Sequence, residues 1–146
     1  MMEQQQIKEE ILRILSEHKV GTLSTMKKGD QPFARYMIFR NEEFMLYTIS
    51  SKATDKVQDI LTNDKVHILL GFEGSGGYGK PYIDMTAQAT IHDEKELKDR
   101  FWHDNFRKYL SGPDDPNYIV IRCEPKTIRL INHPDLNGPA TIKFGE

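Results

Sequence analysis

The chain has 146 residues, 38% of them hydrophobic, with 20 basic and 22 acidic side chains and a formal net charge of −2. That length suits one domain with its own core, and a pI of about 6.2 lacks the basic excess of a general nucleic-acid binder. No apolar run reaches the roughly 18–20 residues of a membrane span, the opening MMEQQQIKEE is too polar and acidic for a secretory signal, and one cysteine, Cys123, leaves no internal disulfide framework.

These features predict a cytoplasmic chain with no membrane and no nucleic-acid partner. A mean hydropathy of −0.60 is lean for a globular monomer. It hints that a second copy completes the core.

Residues 3–18 space Ile7, Ile11, Leu12, Ile14 and Leu15 as one face of an amphipathic helix. VGTLSTM (20–26) reads as a strand and KKGD as its turn. PFARYMIFR (32–40) and FMLYTIS (44–50) extend a meander through the turn NEE. Residues 54–62 then fit a short helix, with Val57, Ile60 and Leu61 on one side. VHILLGF (66–72) and PYIDMTAQATI (81–91) are strands, and residues 93–110 are helical with acids at the start. SGPDDPN breaks that helix, and YIVIRCEP and TIRLIN follow as two last strands. Turns this short cannot hold crossover helices, so pairing is mostly antiparallel. The expected architecture is one α+β domain over residues 1–146, a small barrel with peripheral helices.

GFEGSGGYGKP (71–81) carries Gly74, Gly76 and Gly79 in GxGxxG spacing, and Gly74, Gly79 and Lys80 at phosphate-loop spacing. Both motifs cradle phosphate only where a strand feeds the loop and a helix leaves it. Here the exit is β-type, and Pro81 stands where a magnesium-binding hydroxyl is needed. The glycines therefore read as a hairpin turn. His18, His67, His92, His103 and His133 are scattered without metal-ligand spacing, so no metal site is expected. Cys123 lies inside the apolar run YIVIRC and reads as a packed thiol. Asp114 and Asp115 lie between prolines in a turn and read as solvated acids.

LYTISSKATDKVQDI (46–60) poses a sharper problem. Lys52 and Lys56 lie at the start of a helix, where the macrodipole disfavours cations. One solution is an anion. Backbone amides, the hydroxyls of Thr48, Ser50, Ser51 and Thr54, an ammonium from Lys56 or Lys52, and Arg35 on the neighbouring strand converge on a phosphate. The other solution has Thr54 or Asp55 capping the helix and both lysines solvated. The residues alone leave these two open.

The combination VGTLSTM…GDQPFARYMIFRNEEFMLYTISSKATDKVQDI…DKVHILLGF resembles the flavin-binding split barrels related to pyridoxamine 5'-phosphate oxidase. FWHDNFRKYLSGPDDPNYIVIRCEP resembles one branch of them, the bacterial general stress protein 26 group. The resemblance spans roughly residues 7 to 131. It implies a homodimer of six-stranded split barrels with flavin mononucleotide (FMN) at the interface. By position, Arg35, Tyr36, Met37 and Ile38 on the second strand and Tyr47 and Thr48 on the third would line the cofactor. Ser50, Ser51, Thr54 and Lys56 match the element that takes the phosphate. Gln88 would reach a flavin held mainly by the other subunit, and Trp102 matches a helix aromatic at the far rim or in packing.

The C-terminus departs from the family pattern. No tryptophan follows Trp102, and Arg129-Leu130 is a faint echo of the oxidase's arginine-histidine element. Pyridoxamine phosphate oxidation is therefore not expected. The resemblance implies an FMN-dependent oxidoreductase acting on a small molecule that the sequence does not identify. Open alternatives are a non-catalytic flavin store, a split barrel holding FAD or haem, and an interaction module without a ligand.

Overall fold

The computed structural model describes residues 2–71 and 79–145. Most of the glycine-rich turn expected over 71–81 therefore lies outside the described residues. In chain order the elements are α1 (Gln4–Glu17), β1 (Val20–Lys27), β2 (Gln31–Glu42), β3 (Met45–Ser51), α2 (Asp55–Thr62), β4 (Lys65–Leu70), β5 (Tyr82–His92), α3 (Lys95–Phe101), β6 (Tyr118–Ile131) and β7 (Ala140–Lys143).

The sheet runs in the order β3-β2-β1-β4-β5-β6-β7, and β3 also pairs with β6. That extra pairing, from Leu46 opposite Cys123 to Ser51 opposite Tyr118, closes six antiparallel strands into a barrel. β7 extends the second half of β6 as a flap. The α+β antiparallel barrel expected from the short turns is present. No helix among the described residues is long and apolar enough to cross a membrane.

Alternation decides which side chains point inward. β4 buries Val66, Ile68 and Leu70 and exposes the residues between. The inward set joins Leu23, Phe39, Leu46, Ile83, Met85, Ile121 and Ile128 in the main core. α1 covers one end of it with Ile11, Ile14 and Leu15. β3 and the first half of β6 are different, because they are buried on both faces. Leu46, Ile119, Ile121 and Cys123 face the barrel interior, whereas Tyr47, Ile49, Tyr118 and Val120 pack outward against Phe101 and Leu110. Two-sided burial explains why YIVIRC reads as a continuous apolar run. Inside it, burial pushes the Cys123 thiol up to about 12.

Three elements differ from the sequence reading. β6 is one 14-residue strand, not two. Pro125 sits beside a register shift between Thr86 and Ala87 of β5, and such a bulge is where a strand tolerates proline. The helix expected over 93–110 ends at Phe101 and resumes as a 3-10 turn over Asp104–Lys108. Local hydrogen bonds compete with the helix at the break: the Trp102 indole donates to Asp104 Oδ1 at 3.0 Å, and His103 Nδ1 accepts from the Asn105 amide at 3.1 Å. β7 was not anticipated, since ATIK is too short and polar to signal a strand.

Gly21 marks the tightest approach between β1 and β4. A Cβ there would lie 2.6 Å from the Leu69 carbonyl oxygen and 2.7 Å from Leu70 Cδ1. The carbonyl belongs to a paired backbone and cannot move aside. Gly21→Ala is therefore expected to destabilise the barrel by about 1–3 kcal/mol, the usual range for overpacking, measured by urea denaturation. Unchanged stability would refute the close packing.

Candidate functional site

At the end of β3 the chain leaves the barrel through Ser50 and Ser51 and enters α2 at Thr54. A cavity of about 340 Å³ opens there, lined by Arg35, Tyr36, Met37 and Ile38 from β2 and by Ser50, Ser51, Thr54 and Lys56. Eight of the twelve residues singled out from the sequence therefore meet in one place. Tyr47 and Thr48 line an adjoining cavity of about 270 Å³ with Lys19, Arg40, Phe101 and His103. The two cavities share Ile38, Ile49 and Phe106 as walls, so they form the two ends of one trough.

Gln88 and Trp102 line neither cavity. Gln88 points outward from β5 and donates to Asp64 Oδ2 at 2.7 Å. Trp102 packs its ring on Tyr118 and Phe106, with centroids 5.4 and 6.3 Å apart. Among the described residues no group of three or more His, Cys, Asp or Glu is placed to hold a metal ion.

The polar end is organised by hydroxyls. Thr54 is the N-cap residue of α2, but its side chain makes no capping hydrogen bond. Its hydroxyl donates to the Ser51 carbonyl at 2.8 Å and lies 3.2 Å from Ser50 Oγ. Lys56 Nζ donates to the same Ser50 oxygen at 3.2 Å. Of the capped-helix alternative, the solvated Lys56 is not observed, because Lys56 is partly buried in the cavity. Lys52 is exposed and stands outside it.

Arg35 comes from β2, opposite Leu23 of β1. Its Nη1 donates to the Leu23 carbonyl at 3.1 Å, Thr25 Oγ1 at 2.8 Å and the Phe33 carbonyl at 3.3 Å. Loss of solvation pushes the Lys56 ammonium below its usual value, and the Arg35 charge pushes it further, against the pull of Asp55. Desolvation likewise lowers Arg35, opposed by Asp59 and Asp55. Two partly desolvated cations thus share one pocket end, and an anion placed between them relieves both penalties.

The remaining walls of the larger cavity are apolar, whereas the smaller cavity also carries Lys19, Arg40, Thr48, His103 and Asn105. Val20, Ile38, Ile49, Phe106, Tyr109 and Leu110 complete the larger cavity, and the stacked pair Tyr47–Phe101, centroids 4.4 Å apart, borders the smaller one. The sequence reading missed Phe106, Tyr109 and Leu110. Their i, i+3, i+4 spacing marks one helical face, a signal absorbed into the long helix expected there. A few convergent polar groups beside the apolar walls of the larger cavity suit a flat molecule with an anionic end.

The sequence profile of the pyridoxamine 5'-phosphate oxidase family matches residues 7–132. General stress protein 26 of Bacillus subtilis is 42% identical over 131 residues, which span 90% of this chain and 92% of that protein. The crystal structure of the general stress protein 26 from Bacillus anthracis superposes with a TM-score of 0.83 at 33% identity, covering 94% of this chain and 98% of that one. A heme binding protein from Mycobacterium smegmatis shares the fold alone, with a TM-score of 0.77 at 15% identity over 93% of this chain and 57% of that one. The chain belongs to the pyridoxamine 5'-phosphate oxidase-like family, in the group of general stress protein 26.

Proposed function

We propose that this protein binds FMN in the trough and is a flavin-dependent oxidoreductase acting on a small molecule. The observation that carries this reading is the meeting of Arg35 and Lys56, with three hydroxyls, at the polar end of the larger cavity, whose other walls are apolar. In it the ester phosphate lies against Arg35, Lys56 and the hydroxyls of Ser50, Ser51 and Thr54. The ring system lies along the apolar walls toward Ile38 and Ile49. When bound, the flavin supplies hydride or electron transfer, while the protein supplies anchoring, orientation and exclusion of water. The cavity residues anchor and orient the ligand, so turnover rests on the cofactor.

The donor set fits a phosphate monoester. Two cations and three hydroxyls converge where charge-assisted hydrogen bonds are strongest, in a half-desolvated site. The apolar remainder fits an aromatic ring system better than it fits a sugar or a free ion.

The same reading includes a homodimer. The outer face of β1, β2 and β4 exposes Tyr36 (79%), Val20 (58%), Ile38 (49%) and Leu69 (40%). An apolar band of this kind beside a ligand cavity is what a self-complementary partner covers. In such a dimer the flavin is shielded by the second copy, and Gln88 reaches it only from that copy.

Saturable binding of one FMN per chain, followed by flavin fluorescence and the visible spectrum, is the expected result. A Soret band in place of flavin absorption would replace this reading with the haem alternative. Lys56→Ala is expected to weaken FMN by about tenfold to 150-fold, the value of a charge-assisted contact, while riboflavin affinity changes little. Equal weakening of both ligands would sink the phosphate role.

Because Lys56 is depressed in the free protein, phosphate binding restores its proton above that lowered value. FMN affinity should therefore fall as pH rises from the lowered Lys56 value toward the ordinary lysine value of about 10.4. Lys56→Met should remove that dependence. For the dimer, light scattering should give twice the chain mass, and Tyr36→Arg should shift it to the monomer.

A further inference from the structure

Thr25 and Asp59 line neither end of the trough, yet both contact Arg35 at its polar end. Thr25, on β1, is 1% exposed. Its hydroxyl accepts from Arg35 Nη1 at 2.8 Å and donates to Asp59 Oδ2 at 3.1 Å. The same Asp59 oxygen accepts from Lys27 Nζ at 2.9 Å and lies 3.9 Å from Arg35 Nη2. Asp59 stands on α2 three residues beyond Lys56, so one short relay links the β2 cation to the helix that carries the other.

The charge arithmetic makes this relay informative. A carboxylate beside an anion site lowers the local positive potential, so on charge alone Asp59 works against phosphate binding. Burial raises its pKa, but hydrogen bonds from Lys27 and Thr25 and the charges of Lys27 and Arg35 more than offset that. The net result holds the group below the usual carboxylate range, ionised at neutral pH. An ionised group in this place is useful only if geometry outweighs charge. Arg35 has long-chain rotamer freedom, and mutual repulsion from Lys56 drives it toward solvent. Among the described residues, all its hydrogen bonds leave from Nη1, on the Thr25 side.

We propose that Thr25 and Asp59 are positioning residues that hold Arg35 at a fixed separation from Lys56, and that this separation selects a phosphate-bearing flavin over its dephosphorylated form. The inference rests on the flavin-phosphate reading above. It goes further by assigning phosphate selectivity to two residues that do not touch the ligand.

The test measures dissociation constants for FMN and riboflavin with the full-length protein and three variants. Thr25→Val preserves shape and removes the hydroxyl, and should reduce the FMN-to-riboflavin preference by about three- to tenfold, the value of one hydrogen bond. Thr25→Ser restores the hydroxyl and should restore the preference, which a merely structural role would not do. Asp59→Ala gives opposite signs for the two explanations. Loss of positioning weakens FMN, whereas simple removal of a negative charge tightens it. Tighter FMN binding in Asp59→Ala, or an unchanged ratio in Thr25→Val, would overturn the positioning proposal and leave the phosphate site standing. If the unmodified protein shows no preference for FMN over riboflavin, the phosphate reading itself falls, and the proposal falls with it.

Discussion

The pairing of β3 with β6 is the constraint on which the rest of the molecule depends. It converts an open meander into a closed barrel, and it buries β3 on both faces. With its path settled by neighbours on either edge, β3 delivers Ser50 and Ser51 to one spot at the barrel rim. β2, on its other edge, brings Arg35 and the apolar residues that follow it to that rim. The outward face of β3 also gives Phe101 and Leu110 somewhere to pack. The segment between those two residues becomes a wall of the trough for that reason. Remove the β3–β6 ladder, and cations, hydroxyls and wall no longer share a place.

The polar end of the trough is maintained against a standing cost. Two cations are partly withdrawn from water beside each other, and both have lowered affinity for their protons. Folding tolerates this because each has local compensation. Arg35 has two backbone carbonyls and Thr25, and Lys56 has Ser50. The compensation is incomplete, and a residual positive field is left at that end of the trough.

Much of this was legible in the sequence, for identifiable reasons. β1 to β5 alternate or run apolar with turn residues between them, so local pattern and final structure agree. The odd placement of Lys56, a cation at a helix start against the macrodipole, pointed to the cavity it lines. What was not legible depends on contacts distant in the chain. The continuity of β6 through Pro125 requires a bulge opposite β5, and the break at Trp102 requires Asp104 and His103 to outbid the helix. Thr25 and Asp59 carry no motif. Their role exists only because strand register and helix docking bring residues 34 positions apart to 3.1 Å.

Cys123 gives the fold one more chemical property. Its sulfur faces the barrel interior with no exposed surface, and its thiol titrates only near pH 12. Nucleophilic and oxidative sulfur chemistry runs through the thiolate, which this environment suppresses. The molecule can therefore meet peroxides, quinones or electrophilic metabolites without forming a mixed disulfide or a covalent adduct at its only cysteine. The fold keeps its sulfur out of bond-forming chemistry, and it does so by burial alone.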